Sequence, residues 1–510
     1  MSTPTPPSGA VAPWKLWCVA SILAGCDTWI DCGALPGLNW LWTTLSAVIA
    51  FGAIRAGTAL AWRELTPLLI ACALAGGAVV TANAPVLALL LLGVPASLAI
   101  GVSIAIGTEN LEQRGARQLL LAPAIVLFAA SGEALRRLSA GAGAVRAPQR
   151  LPVLRGVAFA APVLLTFGLL LSAADPVLAA WRELAVQAFR DQSVLRRTLC
   201  FAGFAFMLLG TLGLASNPPA LGAPAAARSP VPPRWVVGRT ERMIVLGAVV
   251  ALFALFLGLT ASHLFGDRGG TPGTGVTYAQ AAHQGFGELC LVASLCVALL
   301  LTLVASSDRP RLDPVERTLS ALLVLETQLL LLSAVHRVSL YEEAYGFTEQ
   351  RLAVQYYAGL VAVALAVLAA EILGSPDLKR LARRWTLAAG LALCGFVYWN
   401  HSAWIARQNL ERYERTHTLD LRYLIVGLGA DAVPEWTAFM ARLPPAMQQR
   451  ARDCFHSVDR PGRSDRTAHQ SWYEWNYRRR LRDTALRTVG LDSAPPTPGP
   501  RATPAEACSG

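Results

Sequence analysis

Two carboxylates four residues apart, Asp27 and Asp31 in "CDTWIDCG", share one face of any helix that contains them. Such a pair could bind a cation or divide the roles of general acid and base. It could equally be two solvated charges at a helix end. A third carboxylate, Glu326, is buried in the apolar run "TLSALLVLETQLLLLSAV", roughly 13 to 15 Å by helical rise from either polar flank. An ionisable group at that depth faces a packed interior, a cavity or a polar partner. It reads either as a hydrogen-bonded packing group beside Gln328 or as part of a proton or ion pathway. The segment that follows, "HRVSLYEEAYGFTEQR", spaces Arg337, Tyr341 and Tyr345 four apart and places Arg351 just beyond. Arginines and tyrosines in that pattern suit a phosphate, headgroup or acidic ligand, and they also suit an aromatic interfacial belt with a snorkelling arginine.

Three further groups complete the candidates. Glu288 lies about one turn into an apolar run after "TYAQAAHQGFG", where Gly285 and Gly287 permit close helix packing. In "YWNHSAWIARQNLERY", Asn400, Trp404 and Gln408 share a face, with Arg407 and Asn409 beside it. Asp420 opens "DLRYLIVGLG". The histidines are scattered and no cysteine pair has zinc-ligand spacing, so neither a metal nor another cofactor is called for. Cys454 and Cys508 could pair only if the C-terminal region is exported.

What must position these residues is a membrane. Of 510 residues, 54% are apolar and only 15% charged, outside the range of soluble domains. The net charge of +11 comes almost entirely from arginine, with lysine only at Lys15 and Lys379, and no basic helix with interleaved aromatics suggests nucleic acid. Apolar runs of spanning length fall near 16–31, 38–58, 66–83, 85–106, 157–173, 197–215, 242–262, 286–305, 318–335, 352–372 and 385–404. The expected fold is therefore all-α, a polytopic bundle of about eleven transmembrane helices, or twelve if 118–131 also spans, with a small helical C-terminal extramembrane domain. Residues 118–131 are short and flanked by arginines, and are expected to be interfacial or re-entrant.

Eleven spans with a cytoplasmic N-terminus put the cationic loops "EALRRLSAGAGAVRAPQRLPVLRG", "RSPVPPRWVVGRTER", "DRPRLDPVER" and "LKRLARR" inside, as the positive-inside bias requires. The C-terminal region is then extracytoplasmic. The expected organisation is a disordered tail at 1–14, a transmembrane domain at 15–405 interrupted by a Pro/Ala-rich linker at 216–238, a helical domain at 406–490 and a disordered tail at 491–510. The stretch "HQSWYEWNYRRRLRDTALRTV" is expected to be helical. Gly346 suits the left-handed residue that stops one helix, and Thr348 the N-cap of the next.

In order, "YAQAAHQGFGEL", "HRVSLYEEAYGFTEQRL", "WNHSAWIARQNLERY", "LDLRYLIVGLGADAVPEW" and "WYEWNYRRRLR" resemble the motif series of a bacterial multi-pass family, the domain of unknown function of type 4173, related to type 4153. "DTWIDCGALPGLN" and "SAADPVLAAW" at 172–181 resemble it too. The resemblance implies a multi-pass protein of the bacterial cytoplasmic membrane and supplies no activity. The reading that fits best is an envelope transport, sensing or assembly component, not an enzyme, whose polar outer-face pocket takes an envelope or lipid-linked ligand; membrane lipids are its expected partners. The rival is a membrane-embedded enzyme acting on a lipid-linked or polyprenyl-linked substrate, with Asp27 or Asp31 as base and Arg337 or Arg351 holding phosphate.

Overall fold

The computed structural model describes residues 13–55, 62–106, 116–141, 193–216, 239–264, 286–305, 312–458 and 471–491. These residues are all-helical, without a strand among them. The chain divides into two compact units: Met1–Pro224 with His469–Tyr477, and Ala225–Ala468 with Arg478–Gly510. The expected span at 157–173, the motif at 172–181, most of the linker and both tails lie outside the described residues.

The first unit contains α1 (Pro13–Asp31), α2 (Leu38–Ile54), α3 (Trp62–Val80), α4 (Ala84–Ile106), α5 (Ala116–Gly141) and α6 (Ser193–Ser216). Leu16 and Ala20 of α1, Phe51 of α2, Val102 of α4, Ala130 of α5 and Leu212 of α6 meet in one apolar core. Small residues allow the closest approach. At Gly210 an added Cβ would collide with the backbone of Ala130, so α5 and α6 touch where neither has a bulky side chain.

Residues 118–131 belong to a longer helix than their apolar run suggests, the first part of α5, of which Gln118–Leu138 is by length and composition alone a candidate span. The flank that looks too polar in sequence is neutralised locally. Glu133 pairs with Arg136 at 2.7 Å and Arg137 at 2.6 Å, and Arg137 also donates to Ser216 Oγ and the Gly213 carbonyl at the end of α6.

The second unit contains α7 (Arg239–Leu264), α8 (Phe286–Ala305), α9 (Pro314–Tyr345), α10 (Glu349–Leu373) and α11 (Leu378–Tyr398), followed by α12 (His401–Thr416). Leu246, Leu300, Leu323, Leu365 and Leu381 form its membrane core. Buried ion pairs tie one end of this bundle. Arg242 meets Glu316 at 3.1 Å, and Glu371 accepts from both Arg380 and Arg384 at 2.6 Å. The last expected span, 385–404, ends sooner. Trp399 is extended and the Asn400 side chain accepts from Ala403 N, starting α12 as a separate helix.

Beyond α12 come a π-helical turn (Tyr423–Gly427), a 3-10 turn (Ala430–Ala432), α13 (Val433–Met440), α14 (Pro445–Val458) and, after the 3-10 turn Trp472–Glu474, α15 (Tyr477–Thr488). Ile405, Leu424, Trp436, Cys454 and Leu486 close a second core that also includes Leu352 of α10. Among the described residues, six helices are long and apolar enough to cross a membrane: α4, α10 and, within α5, α6, α7 and α9, the stretches Gln118–Leu138, Val194–Ser216, Thr240–Gly258 and Pro314–Tyr345; three shorter apolar ones accompany them. Many of their leucines face outward, Leu92 at 71% and Leu120 at 80% exposure. In water such faces would be an association hazard; against lipid tails they are the natural outer surface.

The α5–α6 contact makes a direct prediction. Gly210→Leu should separate the two helices, costing about 2 kcal/mol or more through overpacking. The measurement is the thermal midpoint of the purified protein in detergent, with Gly203→Leu as the control, since a Cβ there meets nothing within 4 Å. Equal midpoints for the two variants would remove the close contact from the account.

Candidate functional site

The α9–α10 turn has non-helical backbone at the end of two membrane helices, where every peptide group needs a partner. Gly346 stops α9 with φ of +88°, and its missing side chain is needed twice, because a Cβ would also sit 2.8 Å from Asn409 Oδ1. Thr348 caps α10, its hydroxyl accepting from Arg351 N at 3.4 Å. The rest of the turn is satisfied from α12. Phe347 N donates to Asn409 Oδ1 at 2.8 Å and Asn409 Nδ2 donates back to Phe347 O at 2.9 Å. Arg412 donates to the Glu343 and Ala344 carbonyls at 3.0 and 2.5 Å, covering the last orphan acceptors of α9. Glu349 N donates to the Tyr423 hydroxyl at 2.7 Å.

Around this frame lie titratable groups. Glu349 Oε1 accepts from Ser402 Oγ at 3.0 Å and is 3.7 Å from His401 Nε2. His401 is buried and stacks on Phe396, with ring centroids 4.7 Å apart. Burial pushes its pKa below the usual 6.5, and the Glu349 carboxylate opposes that shift. Burial likewise raises the Tyr423 phenol. Glu342 is buried one turn before the end of α9; Oε2 accepts from Gln355 Nε2 at 2.7 Å, while Oε1 has no hydrogen-bond partner among the described residues.

The sequence candidates divide by what their polar atoms do. The Arg351 guanidinium lies over the Tyr341 ring at 4.3 Å and donates to the Gly346 carbonyl. Tyr341 and Tyr345 stack with centroids 4.7 Å apart, and Tyr345 is exposed. Arg337 is half-buried one turn before Tyr341 on the same face. Asn409 holds Phe347. Asn400 caps α12 and donates to the Asp431 carbonyl at 3.2 Å, Asp420 accepts from Tyr423 N at 2.8 Å, and Arg407 pairs with Glu435 at 2.8 Å.

Glu326 is 6% exposed, and its Oε2 has no partner among the described residues. It is about 16 Å by helical rise from Arg337, so the two do not meet in one small cluster. Glu288 belongs to α8, and its side chain lies outside the described residues. Ser402, Gln355 and Arg412 were not singled out from sequence; only their distance along the fold from residues 342–349 makes them partners. Cys454 is disulfide-bonded, and Cys508 lies outside the described residues.

Asp27 and Asp31 belong to the first unit. Asp27 is buried, and Asp31 Oδ2 accepts from Thr43 Oγ1 at 2.5 Å while Oδ1 has no hydrogen-bond partner among the described residues. Near them the segment "SWYEWN" is not the α-helix its pattern suggests but a strap built on a short 3-10 turn. Glu474 accepts from Leu35 N at 2.9 Å and Ser471 N at 3.1 Å, Leu38 N donates to Trp475 O at 3.0 Å, and buried Asn476 donates to the Ala78 and Thr81 carbonyls at 2.7 and 2.8 Å. The tight turn at residues 471–476 exists because helix ends 395 or more residues away supply its partners.

Long apolar helices with outward leucines and polar turns satisfied from a folded cap define an all-helical integral membrane protein. The chain belongs to the family described as Domain of unknown function (DUF4153), whose model matches residues 68–438. The motifs raise the expectation of type 4173; the type whose model matches is 4153. No curated protein and no solved structure matches the chain.

The buried imidazole gives the turn a pH dependence. Because the folded pKa is lowered, the stability tied to neutral His401 is complete above about pH 6.5 and is lost as pH falls towards the folded value. Acidifying from about pH 7.5 to about pH 5.5 should lower the thermal midpoint, and His401→Phe, which keeps the ring stack, should flatten that response. An unchanged pH response in the variant would exclude His401 as its source.

Proposed function

We propose that this is a bacterial inner-membrane component of envelope transport, sensing or assembly, in which the α9–α10 turn and the C-terminal helical domain form an outer-face site for a phosphate-bearing lipid or lipid-linked ligand. The carrying observation is a cluster of cations and aromatic rings at the turn: Arg351, which also donates to the Gly346 carbonyl, laid over Tyr341, Tyr345 stacked beside it, and Arg337 one turn away. Guanidinium groups flanking an aromatic face suit a phosphate headgroup whose lipid chain stays in the bilayer.

The orientation is supported by the second unit's own charges. Arg317, Lys379, Arg380, Arg383 and Arg384 all fall at the end of the bundle opposite the turn, where the positive-inside bias expects the cytoplasm. The disulfide at Cys454, buried in the C-terminal core, also suits an oxidising compartment. In this reading the N-terminus is cytoplasmic and the C-terminal domain extracytoplasmic.

The test pairs topology with binding. Cysteine introduced by Asp420→Cys should react with an impermeant maleimide in intact cells, and Leu378→Cys only after permeabilisation; the reverse pattern would place the site in the cytoplasm. A polyprenyl phosphate in detergent should raise the thermal midpoint of the wild type, and Arg337→Ala with Arg351→Ala should reduce that affinity at least about tenfold, the loss of one charge-assisted contact. Equal shifts in wild type and double variant would remove these arginines from the site.

A second reading is favoured by one observation, the buried Asp27 beside Asp31 with its unpartnered Oδ1. This is a membrane-embedded enzyme acting on a lipid-linked substrate, with one carboxylate as base. Asp27→Asn and Asp31→Asn should each leave a lipid-linked intermediate accumulating in the profile of the cells. A profile identical to wild type in both variants ends that reading.

A further inference from the structure

Cys32, just beyond the end of α1, and Cys200, in the second turn of α6, are 168 residues apart in sequence. Their sulfurs lie 2.7 Å from each other, in direct contact though longer than a disulfide bond of about 2.05 Å. Both are half-buried and free as thiols in the structure. The contact is supported on either side. Trp29 of α1 packs under the Arg197 guanidinium at 5.9 Å, and an ideal Cβ on Gly33 would sit 3.0 Å from Arg196 Nη2. Arg196, one turn before Cys200, has an Nε without a hydrogen-bond partner among the described residues.

We propose that Cys32 and Cys200 form a disulfide that staples α1 to α6. The oxidant is a disulfide-bearing protein of the envelope. One Cys thiolate attacks its S–S bond to give a mixed disulfide, and the second Cys thiolate displaces it. The new Sγ–Sγ bond forms as the oxidant's bond breaks, and the oxidant takes the two electrons and two protons and leaves as a dithiol. The pair sits at the end of α1 opposite Lys15, the end that the positive-inside bias leaves in the oxidising compartment. In sequence each cysteine looks like a small apolar residue; only the packing of α1 on α6 makes them a pair.

Thiol counting gives opposite signs for the two states. Cells are quenched in acid, the full chain is denatured in SDS and alkylated with a polyethylene glycol maleimide without reductant. If the bond exists, Cys32→Ser and Cys200→Ser each gain one labelled thiol over wild type, because the partner is released, and the double variant matches wild type. If both are thiols, each single variant loses one label and the double variant loses two, and the proposal is overturned. Tryptic mass spectrometry of the wild type provides the check that needs no variant. Residues 198–228, with Cys200 as their one cysteine, should appear cross-linked to residues 16–55 until reduction. Recovery of residues 198–228 alkylated and unlinked before reduction gives the same refutation. Because residues 16–55 also contain Cys18 and Cys26, the serine variants assign the bond to Cys32.

Discussion

The second unit depends on a single accounting constraint: where α9 stops and α10 begins, peptide groups that no longer bond within a helix must find partners. Asn409 meets it at Phe347 with both ends of its amide, Arg412 at the Glu343 and Ala344 carbonyls, and Tyr423 at Glu349 N. At the part-buried Phe347 and Glu349 groups, a lost partner would cost up to about 1–3 kcal/mol, which a marginally stable fold does not absorb easily; the exposed carbonyls that Arg412 covers can turn to water instead. The C-terminal domain is therefore part of the membrane bundle's own end, and not a separate body tethered to it; Leu352 of α10 lies within its core.

The same constraint recurs in the first unit with different residues. The α1–α2 loop and the end of α3 leave Leu35 N, Leu38 N and the Ala78 and Thr81 carbonyls to be satisfied, and the strap at 471–476 supplies Glu474, Trp475 O and Asn476. Gly37 has no side chain because Trp475 O would lie 2.7 Å from its Cβ. Thus both motif clusters near the C-terminus, "WNHSAWIARQNLERY" and "WYEWN", are explained first by helix ends that need partners.

Subtracting those duties leaves a short remainder of polar groups. Asn400, Asn409 and Asp420 use their side chains on backbone, and Arg407 on Glu435. Arg351 does double duty, donating to the Gly346 carbonyl and lying over Tyr341 beside exposed Tyr345, with Arg337 one turn away, and Glu326 and Glu342 each keep one carboxylate oxygen unbonded among the described residues. Burying such groups is costly unless something compensates, so they are where ligand or proton chemistry would be looked for.

Composition and run length alone determined the class, because a bilayer admits only helices or closed barrels and the apolar runs have helix length. Sequence also located the turn, since Gly346 and Thr348 act through local backbone geometry. It drew α5 too short, where apolarity counted residue by residue cannot see Glu133 neutralised by Arg136 and Arg137, and it read the strap as continuous helix because periodicity ignores the partners a segment will meet. Only the tertiary structure decided that Asn409 and Arg412 serve the turn, that Asn476 closes α3 from 395 residues away, and that Cys32 faces Cys200. Those are contacts between distant segments, whose energies depend on positions that no local pattern encodes.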